Sequence, residues 1–308
     1  MEQRYTVVTG GVNVDIGGSA FSALIDRDSN PGRVRMSLGG VGRNIAHNLA
    51  LLGANVKFFT AFGDDLYAHH ITASCDELHI DIRHALRLPD ENTSIYLFIS
   101  GPDGDMALAV SDMEICEKLT TDFFKERQAV LDGAQLVVTD TNLPEQSLVY
   151  LAEHCTVPLF ADPVSTAKAE KLRPILGKLH TLKPNRIEAE LLSGVAIRDR
   201  RSLELAADKL LETGLKRVFL SLGSDGVFVA DGQERFLQPC CPATMRNATG
   251  AGDAFMATLA WAYGEGLDLH RTAQAAAAAA AIAVEGEQTI NPLLSAEAVK
   301  NRISAFRK

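Results

Sequence analysis

The sequence predicts an α/β fold: a central, mostly parallel sheet flanked by helices, with a small β-layer beside it. Three observations carry that expectation. Short apolar runs, several rich in β-branched residues, alternate with amphipathic stretches of helical length along most of the 308 residues. Such alternation calls for parallel strands joined by crossover helices, which cover both faces of the sheet. Two stretches, near 10–36 and 93–112, break the pattern with strand-like segments that have no helix between them. The length suits one large domain. No internal repeat or low-complexity linker divides it, so residues 1–308 read as a single unit.

In chain order, the first strand is expected at 5–8, and the glycine-rich stretch after it opens the irregular layer. A helical pattern at 44–52 leads to a strand at 56–61 and a second helix at 66–78. The segments SIYLFIS and MALAV then supply the other half of the irregular layer, predicted as an antiparallel lid. Beyond it the alternation resumes: strands at 136–140, 158–162, 181–183 and 217–222, helices at 145–154, 186–192, 202–213 and 251–264. Residues 275–284 form the longest apolar stretch, too short to span a bilayer. They read as a core helix whose alanines let neighbours approach closely.

Composition narrows the functional classes. Hydrophobic residues make up 46% and charged residues 22%, ordinary for a protein with a sizeable core. Lysine and arginine total 30 against 39 aspartate and glutamate, a net charge of −9. That balance argues against duplex nucleic acid or an anionic membrane as partner. The five cysteines are scattered and odd in number, with no CxxC pair, as expected of reduced thiols in a cytoplasmic protein. The N-terminus, MEQRYTVVTGG, carries no signal-peptide pattern.

Three loops between strand-like and helical segments could carry chemistry. In Asn247-Ala248-Thr249-Gly250-Ala251-Gly252-Asp253 the glycines permit a tight turn and leave backbone amides open at a helix start, where they and the helix dipole favour an anion. Asp253 follows within the first turn, where the dipole is expected to keep its carboxylate ionised. Asn185 and Glu188, three residues apart after a strand, suit either a helix cap or a water-mediated hold on Mg²⁺. Gly39-Gly40-Val41-Gly42-Arg43-Asn44 resembles a dinucleotide loop, but its third glycine position is Ile45. A glycine-lined floor for a polar substrate fits better, with Asn44, Asn13 and Asp15 as partners for sugar hydroxyls. The P-loop, nucleophile-elbow and HExxH patterns are missing.

GGVGRN, NRIE and TGAGD, in that order, resemble the signature of the ribokinase (PfkB) family of carbohydrate and nucleoside kinases, and the resemblance spans nearly the whole chain. It implies a ribokinase-like fold with a small β-sheet lid, ATP and Mg²⁺ as cofactors, and homodimerisation through the lid. By motif position it implies Asp253 as catalytic base, with Gly250, Ala251 and Gly252 as an anion hole. Lys183, Asn185, Ser221, Gly223, Gly226 and Thr249 should border the nucleotide. Glu188 and Asp162 should support Mg²⁺ through water. Gly39, Gly40 and Gly42 should floor the substrate site. One departure bears on a monovalent cation such as K⁺: the family often has Asp where this chain has Asn247.

Further segments, among them DSNPG at 28–32, ENTS at 91–94, SDMEI at 111–115 and DPVS at 162–165, resemble a nucleoside-phosphorylating branch of the family. They imply transfer of the γ-phosphoryl group of ATP to a nucleoside 5′-hydroxyl. Ser29, Asn30, Thr93 and Asp112 lie in the lid segments, where a base-reading surface is expected. A kinase of the same fold acting on another nucleoside, or on a sugar such as ribose, is the alternative. A binding protein that kept the fold without turnover is more distant, since Asp253 and Glu188 are both intact.

Overall fold

The structure, a computed structural model, describes residues 4–306, so the first three residues of the N-terminal segment lie outside it. The strands among the described residues are, in chain order, β1 (Thr6–Thr9), β2 (Asn13–Ala20), β3 (Gly32–Gly39), β4 (Val56–Phe59), β5 (Ala61–Phe62), β6 (Leu86–Arg87), β7 (Ile95–Ser100), β8 (Met106–Asp112), β9 (Leu136–Asp140), β10 (Leu159–Asp162), β11 (Thr181–Leu182), β12 (Arg217–Ser221), β13 (Val227–Asp231) and β14 (Arg235–Gln238). Eight form one sheet in the order β14-β13-β12-β11-β10-β9-β1-β4. From β4 across to β12 neighbouring strands run parallel, as the alternation predicts. The last two, not foreseen as strands, add on antiparallel through short turns.

The sheet is covered on both faces, and the two-residue period of a strand explains how. Val8 and Val138 point to the side packed by helices Val41–Leu51, Ala251–Gly264 and Leu269–Val284. Val7 and Val137 point to the other, packed by Glu145–His154, Arg186–Ser193 and Arg200–Glu212. Helix Leu269–Val284 lies along Ala251–Gly264, its run of buried alanines replacing bulk with proximity. Among the described residues no helix is long and apolar enough to cross a membrane, and the five cysteines are free thiols.

The small layer is a four-stranded sheet in the order β3-β2-β7-β8. It is mixed rather than antiparallel: β2 and β7 pair in parallel, from Val14 beside Ile95 to Ser19 beside Ser100. The chain leaves this layer after β3 and returns only at β7, long enough to re-enter in the same direction; antiparallel pairing is confined to each hairpin. The predicted strand at 56–61 also divides. It ends at Phe59, and Ala61–Phe62 pairs with Leu86–Arg87 in a separate two-stranded sheet. Thr60 between them donates its hydroxyl to the Gly10 carbonyl at 2.8 Å, tying the bend to the loop after β1.

One consequence decides where function sits. The segments following β1, β9, β10, β11 and β12 all emerge at the carboxyl edge of the parallel sheet, where ligands of such folds collect.

Candidate active site

Helix Ala251–Gly264 begins at Gly250, whose φ is 85°. A Cβ there would lie 2.0 Å from the Thr289 carbonyl oxygen, so both conformation and space demand glycine. Among the described residues no side chain caps this helix, and its first-turn amides are left for an approaching anion. Asp253, half-buried in that turn, accepts a hydrogen bond from Asn44 Nδ2 at 2.8 Å. Two helix starts more than two hundred residues apart in sequence thus meet at one carboxylate.

The expectation of a readily ionised Asp253 is overturned. Burial first, then repulsion from Asp162, push its carboxyl up to about 7, against the Asn44 hydrogen bond and the attraction of Lys183. Desolvation and a like charge outweigh a helix dipole that acts from one end only.

Asp162 closes β10 and Lys183 follows β11. These strands pair with Ala161 beside Leu182, so register alone sets the two side chains next to each other. Lys183 Nζ stands 3.1 Å from Asp162 Oδ2, a buried ion pair in which both side chains are almost wholly enclosed. Burial alone would lower the lysine pKa, but the carboxylates of Asp162, Glu188 and Asp253 outweigh it and hold the ammonium charged. The other oxygen of Asp162 accepts from the Val164 amide at 2.9 Å. Val164 adopts φ 62°, a strained value for a β-branched residue, and it is this bend that turns its N–H onto Asp162.

Asn185 and Glu188 form a complete capping box: Asn185 Oδ1 accepts from the Glu188 amide at 2.9 Å, and Glu188 Oε2 accepts from the Asn185 amide at 2.8 Å. Glu188 is also buried, which raises its pKa, and its charge is felt at Lys183. The residue therefore caps a helix and faces the charged cluster at once. Among the described residues no group of three or more His, Cys, Asp or Glu side chains has a metal-binding arrangement.

The loop after β12 lies beside this cap. Ser221 donates its amide to the Pro184 carbonyl at 2.9 Å and bridges to Asn185. Gly223 and Gly226 turn through positive φ, 63° and 95°. A Cβ on Gly226 would meet the Gln238 carbonyl oxygen at 2.3 Å, whereas one on Gly223 would stand in open space. Thr249, exposed, donates its amide to Asn247 Oδ1 at 2.9 Å, so Asn247 shapes the turn into the Asp253 helix.

At the β1 edge, Asn13 Nδ2 donates to Asp15 Oδ1 at 2.6 Å. Burial raises the Asp15 pKa, opposed by Asn13 and by the nearby Arg43. Gly39 pairs with Asn13 across the β2–β3 ladder, and a Cβ there would strike Asp15 Oδ2 at 2.3 Å. Gly40, with φ 94°, opens helix Val41–Leu51, and Gly42 packs its Cα face on the Gly10 backbone. Arg43 donates to Ser74 Oγ and the Leu38 carbonyl, its guanidinium lying beside Asn44 Oδ1. This leaves Asn44 Nδ2 for Asp253.

The lid residues do not converge. Thr93 is fully buried: its hydroxyl donates to Asp65 and accepts from the Gly63 amide, which fixes that turn. Asn30 spends both ends of its amide on Ile25 and Asp28 within its own loop. Asp112 is exposed beside Ile95, whose other neighbour is Val14 at the start of β2, whereas Ser29 lies in the loop beyond Ala20 and Gly32. Six residue steps along β2, about 20 Å, separate those ends. Within one chain, Ser29 and Asp112 therefore stand at opposite ends of the layer. Conversely, Asp140 and Arg43 were missed. Asp140 ends an apolar strand as Asp162 does, and the two are register partners on β9 and β10; that repeated strand-end aspartate was the available signal.

A sequence model described as pfkB family carbohydrate kinase matches residues 3–296. The chain is 37% identical to the pseudouridine kinase of Escherichia coli strain K12, over 96% of this chain and 95% of that one. Among solved structures, it resembles a carbohydrate kinase from Agrobacterium tumefaciens with a TM-score of 0.86 and 28% identity, covering 98% of this chain and 97% of that one. The Arabidopsis thaliana ribokinase complexed with ribose and ATP matches with a TM-score of 0.88 at 22% identity, covering 97% and 98%, and speaks for the fold alone.

Proposed function

The chain belongs to the pfkB family of carbohydrate kinases and is a phosphotransferase acting on an alcohol group; we propose that this alcohol is the 5′-hydroxyl of pseudouridine, with ATP as donor. The observation that carries the chemistry is the placement of Asp253 at an uncapped helix start, hydrogen-bonded to Asn44 in the first turn of helix Val41–Leu51. There a carboxylate can take a hydroxyl proton while the amides of Gly250, Ala251 and Gly252 receive the anionic group being transferred. The pseudouridine assignment rests on the DSNPG, ENTS, SDMEI and DPVS segments, and the near-full-length relative supports it.

In this reading the chain is one kinase domain, the four-stranded sheet its lid. Asn13, Asp15 and the Gly39–Gly42 floor hold the ribose. Asn185, Ser221, Gly223, Gly226 and Thr249 border the nucleotide. Lys183, charged among three carboxylates, faces the phosphate side. Mg²⁺, held near the phosphates by water-mediated contacts to Asp162 and Glu188, would supply charge neutralisation. Among the described residues no three acidic or imidazole ligands converge, so that ion would draw its ligands mainly from phosphate and water. Asp162, ion-paired with Lys183, and Glu188 suit the outer positions. Asn247 is committed to its turn, so a K⁺ site near it would rely on carbonyl oxygens.

The lid also presents an apolar outer face. Val34, Met36, Leu97, Met106, Leu108 and Val110 are exposed, and the register joins them across Ile16 and Ile99. A face of that kind on a water-facing sheet calls for a partner, here a second copy of the chain in a homodimer.

Pseudouridine carries a ring N–H that uridine lacks at the same place. A buried acceptor facing it would be left unpaired by uridine, at about 1–3 kcal/mol, or roughly a five- to 150-fold preference in kcat/KM. Competition between the two nucleosides measures it. Equal kcat/KM would remove pseudouridine as the substrate and leave a kinase for another nucleoside or a sugar. Glu188→Gln should leave the fold intact, since glutamine still completes a capping box. It should raise the Mg²⁺ concentration for half-maximal rate, by up to roughly 10–100-fold. An unchanged Mg²⁺ titration would reduce Glu188 to its cap.

A further inference from the structure

Asp140, at the end of β9, is wholly buried, and each of its hydrogen bonds to the backbone comes from a different loop of the cleft or from its own. Its Oδ2 accepts from the Gly11 amide at 2.9 Å and from the Gly42 amide at 2.8 Å. Its Oδ1 accepts from the Asn142 amide at 2.8 Å. The first loop leads to Asn13 and Asp15, and the second carries Asn44. These loops also touch backbone to backbone: Arg43 donates its amide to the Gly11 carbonyl at 3.1 Å. A Cβ on Gly42 would meet Gly10 Cα at 2.9 Å, and one on Gly40 would meet the Gly11 carbonyl oxygen at 2.5 Å. A Cβ on Gly10 would collide with Asp140 Oδ2 at 2.3 Å.

Every backbone partner of this carboxylate is an N–H donor, so the arrangement matches an anion that accepts only. Burial pushes the Asp140 pKa up against those amides, a cost that a merely structural buried residue of apolar type would avoid.

We propose that Asp140 is a positioning residue for the acceptor: by clamping the loop after β1 to the glycine floor, it sets Asn13, Asp15 and Asn44 at the spacing that seats the nucleoside against Asp253. It does not touch the reacting atoms. The inference rests on the cleft being that of a kinase, and it adds a residue for which neither the loop motifs nor their spacing gave a role.

Two substitutions test it from opposite sides. Asp140→Asn keeps the shape but sets an amide N–H against N–H donors, whichever way it turns. Gly10→Ala keeps the charge but drives the carboxylate aside. Each should raise the KM for pseudouridine by about 10–100-fold, the scale of an ångström-sized misplacement, while the KM for ATP stays within about twofold. The double variant should be little worse than either single one, because both break the same clamp. A nucleoside KM unchanged in folded Asp140→Asn, or a rise in both KM values alike, overturns the proposal. Hydrogen exchange on the wild-type chain gives a readout that needs neither variant nor substrate. The Gly11 and Gly42 amides should be among the slowest to exchange at the carboxyl edge, and rapid exchange at both would overturn the clamp. If wild type fails to phosphorylate pseudouridine, the substrate assignment falls and the exchange measurement still decides on Asp140.

Discussion

Asp253→Asn is expected to lower kcat by about 10²–10⁴-fold, the span of a positioned general base, with folding and ATP binding retained. Asparagine fits the same space, and its carbonyl oxygen can still accept from Asn44 Nδ2, so the loop contact at 2.8 Å survives. What is lost is the capacity to take a proton. The raised carboxyl adds two checks. With a pKa of about 7, wild-type kcat/KM should climb roughly tenfold per pH unit below that value and level off above it. The folded chain also holds this proton to higher pH than the unfolded chain does, so stability declines as pH rises from the ordinary carboxylate range toward 7. Removing the charge should therefore leave Tm at pH 8 equal to wild type or higher. A rate loss below fivefold in folded protein, or a large drop in Tm, would take the role of base away from Asp253.

Lys183→Met should destabilise the chain by about 3–5 kcal/mol, because it strands a buried carboxylate whose cation has gone. The side chains of Lys183 and Asp162 are only 10% and 7% exposed, so water does little to screen the loss. Asp253 is expected to respond too: Lys183 holds its carboxyl down, so the acid limb of the rate profile should move to higher pH in the variant. Urea unfolding and a pH–rate series measure the two effects. A destabilisation under about 1 kcal/mol with an unmoved acid limb would show that the cluster is hydrated and loosely coupled, contrary to the burial that defines it.

Much of the site could be read along the chain because its pieces are local. The glycines at 250 and 252, the Asn185–Glu188 spacing and the 39–44 loop each sit between a strand and a helix, where short-range steric and capping rules act. Strand and helix positions followed for the same reason: Leu136–Asp140, Glu145–His154 and Ala251–Gly264 have the expected bounds. The antiparallel strands β13 and β14 escaped because strand–helix alternation marks strands separated by helices, whereas these two follow β12 directly through short turns.

By itself the sequence determined the α/β class, the edge of the sheet where function gathers, the family, and the aspartate at the helix start. Only the tertiary structure decided how these groups act on one another. Parallel register set Asp162 beside Lys183, and Asn44 onto Asp253 came from packing helix Val41–Leu51 against helix Ala251–Gly264. The same packing enclosed Asp253 and lifted its carboxyl, buried Thr93 around Asp65, and gave Asp140 its three amides. Capping, turns and periodicity are properties of neighbours in the chain, whereas desolvation and charge coupling depend on which distant groups share a space. That is fixed only when the sheet has closed its register and its helices have packed.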